Sequence, residues 1–189
     1  MCGILGVQLL NGERADRTLL HTMIGQLHHR GPDATGFYID GPVGLAHARL
    51  SIIDLSGGSQ PMHNEDQTVW ITFNGEIFNY IELRNDLIQK GHRFQTLSDT
   101  EVIIHLYEEK GEDCVQYLNG QWAFAIWDKK RDKLFLSRDR LGVRPLFYSL
   151  TADMLLFGSE IKALLAYPGL KREIDLQAHD QFFTYWVTL

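Results

Sequence analysis

The 189-residue chain has only two cysteines, Cys2 and Cys114. Two thiols cannot build a disulfide framework, which points to a reducing compartment, the cytoplasm. No apolar run approaches the roughly 18 residues of a membrane span. The start, Met1-Cys2-Gly3-Ile4-Leu5, lacks the basic segment that opens a signal peptide. Positive charge is scarce: 18 Lys and Arg against 24 Asp and Glu leave a net charge of −6, with no basic run. That speaks against the electrostatic footprint of a nucleic-acid binder. The 8 histidines are scattered, and His28 and His29 are adjacent, so they cannot face one ion as an i, i+4 pair does. Zinc spacing is absent, and no metal is expected. Ser56-Gly57-Gly58-Ser59 resembles part of a phosphate loop, but it precedes Gln60-Pro61 rather than a helix. Low-complexity stretches and internal repeats are absent as well.

What remains is ordinary globular material, 44% hydrophobic and 22% charged, which argues against disorder. A chain of this length buries about 70% of its unfolded surface and forms one large domain without staples. Short apolar runs broken by Gly, Pro, Asn and Asp read as strands at 2–9, 43–51, 68–73, 123–127, 134–137, 146–150 and 155–158. Leu19, Leu20, Met23, Ile24 and Leu27 share one face of a helix over 18–27. Helices follow at 80–90, ended by Gly91, and at 100–110, ended by Gly111, with a short one at 160–165. Ser98-Asp99-Thr100-Glu101 fits a capping box with Ser98 as N-cap. Strands at both ends with helices grouped between them predict α+β with antiparallel sheet. The last residues carry Phe182, Phe183, Tyr185 and Trp186. Tails are usually polar, so an aromatic end suggests a chain that continues.

Four places could carry chemistry. Cys is small enough for Met1 to be removed, which would leave Cys2 at the N-terminus. A free α-amine titrates at about 7.7–8.0 and can take the proton of its own thiol; the plainer alternative is a small hydrophobe on an edge strand. In Leu45 to Ile52, period-2 alternation sends His47, Arg49 and Ser51 to one face and Ala46, Ala48, Leu50 and Ile52 to the other. Arg49 therefore either forks onto a carboxylate ligand or lies on a solvated sheet face. Asn74-Gly75 is either a hairpin turn or a pair of oxyanion donors. Asp99 is either a helix-start residue or, if Ser98 takes the cap, a carboxylate free to meet a cation. Cys114, in an apolar periodic stretch, reads as core, and Asp139 to Pro145 as a charged structural turn.

The order of the motifs says more than each alone. Cys2-Gly3-Ile4, Arg30-Gly31-Pro32-Asp33, Ala46-His47-Ala48-Arg49-Leu50-Ser51-Ile52-Ile53-Asp54, Asn74-Gly75-Glu76-Ile77-Phe78-Asn79 and Ser98-Asp99-Thr100-Glu101 resemble the class II glutamine amidotransferases, which are N-terminal nucleophile hydrolases. The Arg49 stretch with Gln60-Pro61-Met62 is most similar to the glutaminase domain of glutamine-hydrolysing asparagine synthetase, and the likeness continues through Gly120 to Ala125, Arg138 to Leu146 and Ser159 to Leu164. The resemblance implies a four-layer α/β/β/α sandwich of two antiparallel sheets. It implies a glutaminase domain over 2–165, with 166–189 starting a linker to a C-terminal synthetase domain. That domain would use ATP and Mg, and its Ser-Gly-Gly-x-Asp-Ser loop is not in this chain; no cofactor is implied for the glutaminase part, and a homodimer is compatible with it. By the same resemblance Cys2 attacks L-glutamine, and Asn74 and Gly75 hold the oxyanion. Arg49 binds the α-carboxylate, Asp99 and Glu76 serve the α-ammonium, and backbone at Ile52 and Ile53 lines the pocket. An amidotransferase with another ammonia acceptor, or a catalytically silent regulatory domain, stands as the alternative.

Overall fold

The computed structural model describes residues 1–51 and 58–187. One sheet is built from β1 (Gly3–Leu9), β2 (Ala34–Asp40), β3 (Val43–Arg49), β8 (Phe147–Leu150) and β9 (Met154–Gly158), in the order β2-β3-β1-β9-β8. The other holds β4 (Met62–His63), β5 (Val69–Ile77), β6 (Gly120–Asp128) and β7 (Lys133–Arg138), in that order. Every pairing is antiparallel. The helices are α1 (Arg17–Gly25), α2 (Tyr80–Gln89), α3 (Asp99–Lys110), α4 (Ile161–Leu164) and α5 (Leu176–Tyr185).

Alternation along the strands splits the apolar residues into three cores, and the three cores define four layers. Leu5, Val7, Ala46 and Ala48 pack on Leu20, Met23 and Ile24 of α1 and on Leu164 of α4. Ile71, Phe73, Ile77, Phe124 and Ile126 pack on Leu87 of α2 and on Val102, Ile103 and Leu106 of α3. Between the sheets lie Val43, Leu45, Ala125, Trp127 and Phe157. This is the α/β/β/α sandwich that the resemblance implied.

The capping chemistry explains the helix boundaries. Asp16 caps α1 by accepting from Thr18 N at 2.8 Å. Ser98 is the N-cap of α3, as expected, accepting from Thr100 N at 3.2 Å, but this is the second residue of the helix and not the third, Glu101, that a capping box would engage. The other half of the box also differs: Glu101 turns to the 95–96 loop and accepts from Gln95 N and Thr96 N, each at 2.7 Å. Gly91 has φ +101° and ends α2 where a side chain would be strained.

The strands depart from the sequence expectation in several places: β2 and β4 lie where no strand is expected, β6 begins at Gly120 rather than at 123, and β5 is longer. β5 does not stop at Phe73; it pairs with β6 without a break from Val69 opposite Asp128 to Ile77 opposite Gly120. Asn74-Gly75 is therefore mid-strand, not a hairpin. β2 is an edge strand none of whose residues is fully buried, and its apolar residues Phe37, Tyr38 and Ile39 are consecutive rather than alternating with polar ones. Asp139 is the scaffold of its turn: it accepts from Trp122 N, Leu141 N, Val143 N and Arg144 N. Cys114 is fully buried in the core beside α3. Ala166, Tyr167 and Leu170 pack on the α1 side, whereas α5 buries none of its residues.

Candidate active site

Side-chain direction assembles the site. On β1 the odd residues Leu5 and Val7 face the helices, so Cys2 shares the opposite, inter-sheet face with Ile4 and Gly6. On β3 Ala46 and Ala48 face the helices while Val43 and Leu45 face the other sheet. His47 and Arg49 follow the latter. The solvated-face expectation for Arg49 fails for this reason: a second sheet covers it, and it is only 8% exposed. The register pairs Gly3 with Ala48; one step further sets Cys2 opposite Arg49. On β5, Thr72 donates to Ala46 O across the gap at 3.2 Å, which fixes Asn74 on that same inter-sheet face.

One cleft results, lined by Cys2, Arg49, Gly75, Glu76 and Asp99. The Cys2 sulfur lies 3.4 Å from Leu50 N and 3.5 Å from Leu50 O. Arg30 anchors the same end of the chain, donating through Nε to Cys2 O at 3.0 Å and through Nη1 to Glu160 at 2.9 Å. Met1 covers the Cys2 nitrogen and its sulfur touches Arg144 Nη1. Asn74 is 2% exposed, and its Nδ2 has no hydrogen-bond partner among the described residues. An unpaired buried N–H is expensive, so an acceptor brought by a ligand would relieve a standing cost. Gly75 needs to be glycine, because a Cβ there would run into the carbonyl of Gln121 and the Cα of Trp122. Ile52 and Ile53 lie outside the described residues.

Asp99 enters the cleft because Ser98, not Asp99, takes the cap. Its Oδ2 accepts from Ile77 N at 3.0 Å, joining α3 to the end of β5. Burial pushes its carboxyl up to about 6 against those backbone hydrogen bonds, with the Glu76 charge adding to the rise. Other groups in the cleft were not assigned a role from sequence. His47 donates through Nε2 to Phe73 O at 3.2 Å and burial holds it neutral, with a pKa near 4. Gln60 accepts from Phe73 N at 2.6 Å and donates to Thr100 Oγ1 at 3.3 Å. The signal for His47 was its shared strand face with Arg49; Gln60 had none beyond its motif.

The raised Asp99 pKa has a sign that can be measured. The folded protein holds this proton to higher pH than the unfolded chain does, so between about 4 and 6 it binds more protons. Stability therefore falls as pH rises through that window, and the cost is fully present at pH 7. Asp99→Asn should stabilise the chain at pH 7 by roughly 1–3 kcal/mol and by little at pH 4. Denaturant unfolding at both pH values checks this; equal stability of the two proteins at pH 7 contradicts it.

Among the described residues, the three side chains close enough to hold a metal ion together are His92, His105 and Glu108, and they share no residue with the cleft.

Comparison with known proteins agrees with this geometry. Residues 1–189 match the family described as "Glutamine amidotransferase domain". The chain is 44% identical over 186 residues to asparagine synthetase [glutamine-hydrolyzing] 3 of Bacillus subtilis (strain 168), covering 97% of this chain and 30% of that protein. It is 46% identical over 167 residues to asparagine synthetase [glutamine-hydrolyzing] 3 of Arabidopsis thaliana, covering 87% of this chain and 28% of that protein. The chain thus spans under a third of the length of these curated relatives. Among solved structures, the glutamine phosphoribosylpyrophosphate amidotransferase from B. subtilis aligns with a TM-score of 0.73 at 22% identity, over 87% of this chain and 43% of that one; this likeness speaks for the fold. The chain belongs to the glutamine amidotransferase domain family, in its class II, N-terminal nucleophile branch, and is closely related to the glutaminase domain of glutamine-hydrolysing asparagine synthetase.

Proposed function

We propose that this domain hydrolyses L-glutamine to glutamate and ammonia through a thioester on Cys2, and hands the ammonia to an ATP- and Mg-using synthetase domain. The observation that carries the reading is one cleft holding a thiol, a buried arginine and two carboxylates. A zwitterionic amino acid with a reactive carboxamide needs that set. Removal of Met1 would turn the Cys2 nitrogen from an amide into a free amine. That amine takes the thiol proton, and the thiolate attacks the carboxamide carbon. The oxyanion meets the unpartnered Asn74 Nδ2 and the Gly75 N–H. Collapse expels ammonia with the proton returned by the amine, and water then releases glutamate from the thioester. Arg49 would take the α-carboxylate, and Asp99 with Glu76 the α-ammonium, while backbone at Ile52 and Ile53 completes the wall.

The relatives are named asparagine synthetases, so aspartate is the acceptor we propose for the ammonia. Residues 166–189 would lead toward the domain that binds it. Both cysteines are free, which suits a reducing cytoplasm, and no helix among the described residues is long and apolar enough to cross a membrane. The direct test is to incubate the chain, with Met1 loss confirmed by mass, with L-glutamine and no ATP. Glutamate and ammonia should appear in equal amounts; release of neither contradicts the proposal.

Asn74→Ala tests the oxyanion donor. kcat should fall by roughly 10²–10³, with KM for glutamine within a few-fold, because the donor tightens on the tetrahedral state. A rise in KM with kcat intact would make Asn74 a binding or strand residue instead.

A further inference from the structure

Remote from the thiol cleft, the α2–α3 connection folds His92 against α3. Its Nδ1 lies 3.2 Å from Nδ1 of His105, which lies 2.8 Å from Glu108 Oε2; the third side, His92 Nδ1 to Glu108 Oε2, is 3.6 Å. A tetrahedral ion with metal–nitrogen distances of about 2.0–2.1 Å has ligands about 3.3–3.4 Å apart. The three observed edges bracket that value. From this triangle we infer that His92, His105 and Glu108 form a divalent-cation site of the zinc class, with the fourth position taken by water.

The surroundings are those a metal site uses. Metal-bound imidazoles turn their second nitrogen to a carboxylate, which fixes the tautomer and strengthens the ligand. His92 Nε2 is 3.1 Å from Glu109 Oε1. His105 Nε2 faces Glu101 Oε1 at 3.7 Å and is buried without a hydrogen bond. The ligating carboxylate is held in turn, since Asn64 Nδ2 donates to Glu108 Oε1 at 2.7 Å. His105 is buried, but the Glu108 and His92 side chains are 27% and 16% exposed, so an ion can enter. Two imidazoles and one carboxylate suit zinc or cobalt rather than calcium or magnesium, which take oxygen ligands. Bound there, the ion would tie the 91–97 loop to α3, whose first turn carries Asp99.

The test uses the untagged chain carrying Cys2→Ala, so that the reactive thiol cannot capture metal. CoCl₂ titration should give the intense visible bands of a low-coordinate cobalt site, saturating at one ion per chain, and ZnCl₂ should displace them and raise Tm. His92→Gln and Glu108→Gln, at partly exposed side chains and checked for fold by circular dichroism, should each weaken binding by about 100-fold or more. Glu109→Gln should weaken it by about 10-fold. Absence of saturable binding, or binding unchanged in both ligand variants, overturns the site and leaves a hydrogen-bonded cluster.

Discussion

Replacing Cys2 with Ala is expected to abolish glutamate release from glutamine while leaving the fold intact. The side chain is only partly buried at the end of β1, and its sulfur makes two long contacts to Leu50. Losing one atom there removes little packing, so Tm should move by no more than a few degrees. Losing the nucleophile removes the covalent path, and nothing else described in the cleft can replace it: Cys114 is in a different core and buried, with its thiol pushed up to about 12 by that burial. A non-removable N-terminal tag should silence the enzyme just as fully, because an amide nitrogen cannot take the thiol proton. Glutamate assays alongside thermal unfolding decide both; full turnover in a folded Cys2→Ala protein sinks the assignment.

Arg49→Ala should produce the second large effect. Arg49 is buried between the sheets at the position that the register sets opposite Cys2. In the proposed role its fork holds the substrate α-carboxylate, which the variant would leave desolvated and unpaired. Breaking a buried ion pair costs about 3–5 kcal/mol, so kcat/KM should fall by roughly 10²–10³ or more. Arg49→Lys should recover only part of this, since a point charge cannot make a bidentate contact. A des-amino analogue of glutamine gives an internal control: it should lose as much as glutamine does on Arg49→Ala, yet lose little on Asp99→Asn. If the two substrates respond equally to Asp99→Asn, Asp99 does not meet the ammonium.

How far the sequence carried can be seen at single residues. The strand that follows Cys2, the helix-capping Ser98 and the glycine ends of α2 and α3 follow from local rules, and the structure has them, with β1 starting at Gly3. The two-face reading holds for 45–49, where β3 ends, but whether the Arg49 face meets water or a second sheet depends on a partner strand far away in sequence. Asn74-Gly75 shows the same limit. As a dipeptide it says hairpin; β6 pairing along the whole of β5 makes it extended backbone. His92 and His105 look scattered because the loop after α2 brings them together, and no short-range spacing encodes that. What did survive without structure was the order of the motifs, which carries the long-range information that composition and periodicity lack.

The central claim is that Cys2 is the N-terminal nucleophile of a glutamine site. It is tested most directly by intact mass and peptide mapping after exposure to a glutamine analogue whose carboxamide is replaced by an electrophilic diazoketone. The account predicts a chain without Met1, labelled once, on Cys2, with excess glutamine protecting and Arg49→Ala slowing the labelling. A label placed elsewhere, or full activity in a chain that keeps Met1, would contradict it.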